Sequence, residues 1–463
     1  MSVERLTRAV LAALALWVAA PAATGDNPEQ LPEPVIESAA RAHAMLTRLC
    51  DDFGGRLTGT PPAQAALARL ALELRALGLE PKLRSFSMPG WERGDDRVEL
   101  LTPVPRKLRA AAFGYVQPHP AFEADLVNLG AASEKEWPVG SIAGAVGLIT
   151  SSSSASLRAT VELAQVRGLR GLLYGGRESG GQLLLRTGSH VGEPLPVPVY
   201  ALTDEEARWC ARRLQRGEPM RVRLETRSRC RTVETANLSV TLKGRAPERI
   251  VVGAHFDSWD IGQGAIDNGL GVAQLFALAD ALRERKLERT VELIWFNGEE
   301  QGLWGSREQA ARLGDTPIIA MINLDMVGVP QAVNALGDES LVPWLEQWNA
   351  RRGDGRLPLG VQNNLWTGSD HTPFQLAGVR AITFHGPIDR ESVRYYHDFA
   401  DTIDKLPVTI VADSAKVISD LVVALANDAS VPVVRRSAAE TERMFVKAGV
   451  DQRLRGLGWW PFP

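Results

Sequence analysis

From Arg249 onward the chain alternates short β-branched runs with helical patterns, and this restricts its fold more than any other feature of its 463 residues. Ile250-Val-Val, Thr290-Val-Glu-Leu-Ile-Trp-Phe, Ile318 to Leu324 and Ala381-Ile-Thr-Phe are such runs. Between the first two, Val272, Leu275, Phe276, Ala279 and Leu282 recur at helical spacing. They predict one buried stripe on a helix from about Gly269 to Lys286. Strands that alternate with helices pair mostly in parallel. The expected fold class is therefore α/β, with a mixed, largely parallel sheet flanked by helices.

The preceding chain reads differently. Residues from about Asp26 to Pro34 are polar and Pro-rich and predict a linker, followed by a helix from Val35 to Leu49. Thr60 suits an N-cap, Pro61 the first helical position and Gly78 the C′ position of a helix ending near Leu77. Between residues 125 and 232 the elements shorten. Gly140 to Ile149 predicts a turn into a buried strand, Val161 to Arg167 a helix and Leu172-Leu-Tyr a strand. Thr203-Asp-Glu-Glu206 has capping-box spacing, and Ser151 to Ser154 predicts an exposed loop. The segment is expected to be a small α/β insert. It divides a larger domain into residues 35–124 and 233–434, with a C-terminal tail over 435–463.

At the N-terminus, Arg5 and Arg8 precede an apolar stretch from Ala9 to Ala20, and Ala20-Pro21-Ala22 fits a small-residue cleavage site. This is the layout of an export signal over residues 1–22, too short to span a bilayer. A periplasmic or secreted protein without a stable membrane anchor is expected. The net charge of -3, with no basic stripe, gives no reason to expect a nucleic-acid partner. Of the three cysteines, Cys210 and Cys230 lie nearest in sequence. They could pair after export, or all three could remain buried thiols.

The chemistry-bearing residues fall where strands end. His255 and Asp257 follow the Ile250 run, Asp267 opens the next helix, and Glu299 and Glu300 follow the Thr290 run. Asp325 ends the Ile318 run, and His397 follows the Ala381 run. Sites in open α/β sheets form beyond the carboxyl ends of strands. Imidazole with carboxylate suits zinc, manganese or cobalt, and clustered carboxylates without a cation would repel one another. Each residue alone has a plainer reading: a satisfied histidine, two solvated glutamates, an aspartate at a helix N-terminus. Ser369-Asp-His371 cannot converge as a triad and has no G-x-S-x-G elbow. Gly262-x-Gly264 lacks the lysine of a phosphate loop.

Together the local sequences resemble the M28 zinc peptidases. The resemblance rests on Gly253-Ala-His-Phe-Asp-Ser-Trp-Asp-Ile-Gly-Gln-Gly-Ala-Ile-Asp-Asn-Gly-Leu-Gly, Asn297-Gly-Glu-Glu-Gln-Gly, Asn323-Leu-Asp-Met-Val-Gly, Gly368-Ser-Asp-His and Tyr395-Tyr-His-Asp-Phe-Ala-Asp-Thr. Asp257-Ser-Trp-Asp-Ile-Gly-Gln-Gly is most like the carboxypeptidase Q branch, and the insert resembles a protease-associated domain.

The resemblance implies two zinc ions per chain, with cobalt or manganese as substitutes. His255 and Asp325 would hold one, Glu300 and His397 the other, and Asp267 would bridge them. It makes Glu299 the general base and has Asp257 hydrogen-bond the far nitrogen of His255. Trp366 stands where family aminopeptidases carry a tyrosine that polarises the substrate carbonyl. His371, Tyr395 or Tyr396 is expected to take that part, His371 first. The implied substrates are dipeptides or short peptides, and a homodimer is compatible with the branch. Two other readings stay open: a single-zinc enzyme like the glutaminyl cyclases, and a metal-free binding protein like the transferrin receptors.

Overall fold

The structure is a computed structural model and describes residues 34–463 except 132–134, 136, 152–155, 177 and 315. The export signal expected over residues 1–22 lies outside the described residues, as does most of the Ser151 to Ser154 loop. Among the described residues no helix is long and apolar enough to cross a membrane.

The main sheet has eight strands, and the β-branched runs form its centre. The Ala246–His255 strand lies between Arg289–Phe296 and Ile318–Asn323 and pairs in parallel with both. Ala381–His385 extends the parallel set beyond Ile318–Asn323. The other flank is antiparallel, through Arg229–Leu242 and then Lys82–Glu92. The chain leaves 246–255 toward one neighbour, then crosses to the other side to form 318–323. That reversal opens a crevice at the strands' carboxyl ends.

Both faces are covered. Leu270–Leu282, the predicted amphipathic helix, packs with Pro34–Phe53 and Val408–Asn427 on one face. On the other, Val251, Ile294, Phe296 and Met321 pack against Ala310, Leu313 and Phe374. The helix Pro61–Ala76 begins as expected, with the Thr60 side chain accepting from the backbone N–H of Ala63 and Pro at its start.

A second eight-stranded sheet is built from chain between residues 96 and 226. His119–Ala131, Val146–Ser151, Gly171–Gly175 and Val199–Leu202 pair in parallel. The helices Leu157–Val166 and Asp204–Gln215 accompany them, the latter capped by Thr203. Asp96–Thr102 and Ala110–Ala112 join this sheet, although they fall within the first segment expected from sequence (35–124). Their partners, Arg221–Thr226 and Val199–Leu202, are about a hundred residues away, so short-range patterning could not place them. Trp259, 3% exposed, packs its ring into this sheet's core and T-shaped against Trp91. Cys50, Cys210 and Cys230 are all free thiols.

Candidate metal centre

Four loops meet in the crevice. His255 ends the central strand and Asp267 lies in the turn before the 270–282 helix. Glu299 and Glu300 form a turn after 289–296, and Asp325 follows 318–323. His397 comes from the 394–402 loop with φ 58°, the left-handed region.

The structure brings all five expected ligands together. Nε2 of His255 lies 3.2 Å from Oδ1 of Asp267 and 3.6 Å from Oδ1 of Asp325. Nε2 of His397 lies 3.0 Å from Oδ2 of Asp267 and 3.0 Å from Oε2 of Glu300. Asp267 thus turns one carboxylate oxygen to each histidine. The carboxylate of Glu299 falls within 4.8 Å of ligand atoms of His255 and Glu300.

The positioning residues are specific. Nδ1 of His397 bonds the carbonyl of Leu185 at 2.9 Å, so the second sheet's own segment orients this imidazole. The Asp398 carboxylate accepts from the backbone N–H of Leu183 at 2.6 Å and of Ala400 at 3.0 Å. Asp401 accepts from the N–H groups of Ile266 and Asp267, which fixes the backbone carrying the shared carboxylate. Ser369 donates to Oδ2 of Asp325 at 2.5 Å and accepts from Asn323 at 2.8 Å. Arg56, fully buried, donates to the carbonyls of Phe256, Gln263 and Gly264 and braces the loop between His255 and Asp267. A Cβ at Gly55 would come within 2.6 Å of Asp260 Cα, so Arg56 reaches this position only behind a glycine.

Two expectations are corrected. The Nδ1 of His255 bonds the backbone carbonyl of Asp257 at 3.0 Å, while the Asp257 carboxylate stands 3.8 Å away. That carboxylate instead accepts from the backbone N–H groups of Glu299 and Glu300, at 3.2 and 3.3 Å. Asp257 therefore shapes the glutamate turn. His371 is fully buried, with Nε2 against the carbonyl of Trp366 at 3.0 Å and Nδ1 near Nδ2 of Asn323 at 3.4 Å. Both ring nitrogens are engaged, so it has no donor to offer a substrate carbonyl. The motif spacing showed neighbours in sequence; it could not show which way the imidazole turns.

Burial pushes the His371 imidazole down to about 4. The unfolded chain, with an ordinary value near 6.5, takes up that proton first. This contribution to stability is full above about pH 6.5 and is lost as pH falls toward 4. It amounts to roughly 3 kcal/mol at most. Urea unfolding across this range is expected to show a shallower acid decline in His371→Gln than in the parent; equal slopes would contradict it.

The carboxylates are held against their own chemistry. Burial, reinforced by Asp267, pushes Glu300 up to about 7 against the pull of His397. Burial also lifts Glu299 well above the usual carboxylate range; His255 opposes this, and Glu300, Asp325 and Asp370 add to it. For His397 burial works downward, but Glu300 and Asp267 outweigh it and raise the imidazole to about 10. A buried acidic cluster that repels its own ionisation needs positive charge. Oε1 of Glu300 is buried with no hydrogen-bond partner among the described residues. These borderline and hard donors, and that unused oxygen, fit a divalent cation such as zinc.

Residues 237–422, which contain all five expected ligands, match the model of peptidase family M28. Aminopeptidase YwaD of Bacillus subtilis is 26% identical over 383 residues, 80% of this chain and 80% of that protein. Carboxypeptidase Q of Bos taurus is 26% identical over 287 residues, 58% of this chain and 60% of that protein's length. Identity therefore does not divide the two branches. The fold is shared with a peptidase M28 precursor from Shewanella amazonensis, at TM-score 0.74 and 21% identity over 87% of this chain and 98% of that one. BSAP, a zinc aminopeptidase from Bacillus subtilis, superposes at TM-score 0.69 and 21% identity with the same coverage. With its expected ligand residues inside the matched segment and this fold around them, the chain is similar to the M28 metallopeptidases over residues 237–422 and in its fold.

Proposed function

We propose that the protein is an exported di-zinc exopeptidase that hydrolyses dipeptides or short peptides. The carrying observation is the division of the Asp267 carboxylate, one oxygen at 3.2 Å from His255 and the other at 3.0 Å from His397. It sorts the other ligands into two sets, His255 with Asp325 and His397 with Glu300, with Asp267 common to both. Zinc bound there would supply Lewis acidity and lower the pKa of water.

The chain's own residues do the rest. Glu299 is held by its neighbour's turn but is no part of either set, so its carboxylate is free to take a proton from the attacking water and pass it to the leaving amine. Asp257, through the Glu299 and Glu300 N–H groups, sets the angle at which that carboxylate enters the cleft. Tyr396 stacks on His397 at 3.6 Å and is 38% exposed, which makes it the better candidate than His371 to polarise the substrate carbonyl. The second sheet serves as an inserted, protease-associated-like domain that completes the metal centre through Leu185. Export rests on the charged and apolar N-terminal pattern, and a homodimer remains part of this reading.

Two measurements test this. Hydrolysis of unblocked, N-blocked and C-amidated dipeptides by the zinc-loaded protein is expected for at least the unblocked set; a folded, zinc-loaded protein that cleaves none would contradict it. Asp398→Ala, which releases the loop from Leu183, is expected to weaken zinc binding about 10- to 100-fold. Competition with a chelator measures this, and unchanged affinity would show that the loop holds His397 without it.

A further inference from the structure

Beside the metal centre lies a cavity of 290 Å³, with Gly176, Glu178 and residues 182–184 on one side and the 390–396 segment on the other. Tyr396, whose ring stacks on His397, forms one wall, and Leu184, next to the residue that bonds His397, forms another. Leu183 and Val393 give it apolar walls, with Glu178 and Gln182 also on its lining. Two guanidinium groups line it, and only one is committed. Arg394 is held by Glu391 at 2.9 Å and by the carbonyl of Ser179 at 2.6 Å. Arg390 makes no side-chain hydrogen bond or ion pair with any described residue, and it is exposed to the cavity.

We propose that Arg390 recognises a carboxylate of the peptide substrate in this cavity, and so determines which peptides the enzyme takes. This rests on the peptidase reading above. A guanidinium offers parallel N–H donors that match a carboxylate's two oxygens. The apolar walls would exclude water from that pair and receive an aliphatic side chain. A peptide offers such a group from two sources, its free C-terminus and an acidic side chain.

The experiment uses zinc-loaded protein in a Glu299→Gln background, so that intact peptides can be titrated by calorimetry. Leucyl-leucine, leucyl-leucinamide and the diamide-capped leucyl-glutamate are compared with and without Arg390→Gln. The expected result is a Kd for leucyl-leucine raised about 10-fold by the substitution, with leucyl-leucinamide unaffected. If the glutamate peptide alone weakens, the proposal stands with the side chain as the carboxylate's source. Equal changes for all three peptides, or none, would overturn it. Turnover by the parent enzyme reports separately on the peptidase reading, because binding is read here without catalysis.

Discussion

Glu299→Gln is expected to lower kcat by roughly 10²- to 10⁴-fold while leaving zinc content unchanged. The substitution is nearly isosteric and removes one capacity, that of accepting a proton. Glu299 lies within 4.8 Å of ligand atoms of His255 and Glu300, yet makes neither of the short contacts to Asp267 that mark the two histidines. Its backbone N–H is fixed by Asp257 at 3.2 Å, so the turn survives the change. Glu300→Gln, by contrast, alters a ligand beside His397 and is expected to cost metal as well as rate. Steady-state kinetics with elemental analysis of the same samples separates the two. A Glu299→Gln enzyme of undiminished kcat would show that the proton moves elsewhere.

Arg56→Met is expected to destabilise the fold by about 3–5 kcal/mol. Three carbonyls, of Phe256, Gln263 and Gly264, receive its N–H groups at 2.9, 2.6 and 2.9 Å in a site with no solvent access. Methionine fills most of the volume but leaves those acceptors without donors. Lysine keeps the charge but cannot fork to three separated oxygens, so Arg56→Lys is expected to recover only part of the loss. The loop that Arg56 braces carries His255 at one end and leads to Asp267 at the other, so zinc affinity should fall with stability. Chemical unfolding measures the first effect, and a change below about 1 kcal/mol would contradict it.

The parallel strands were legible because each reports locally, and the clustering of the five expected ligand residues because their motifs match in order. Val272, Leu275 and Phe276 carry the helical period, and His255, Glu300 and Asp325 each follow a β-branched run. The contacts that orient those residues were not legible. Asp398 and Asp401 sit inside a recognisable motif, yet their partners, Leu183 and Ile266, lie far along the chain. Arg56 belongs to a loop 200 to 208 residues before the carbonyls it serves. The strands 96–102 and 110–112 join the second sheet through antiparallel partners distant in sequence, which leave no periodic trace either. His371 illustrates a further gap, since identity and spacing do not say whether a ring nitrogen faces a cleft or a backbone carbonyl.

The proposed two-ion centre around Asp267 is tested most directly by titrating the metal-free protein with zinc and counting ions bound per chain, alongside Asp267→Asn. Two tightly bound ions are predicted, with both weakened in the variant, because one carboxylate faces both histidines. A single ion at saturation, or a variant that loses one ion and holds the other unchanged, would contradict a shared bridge.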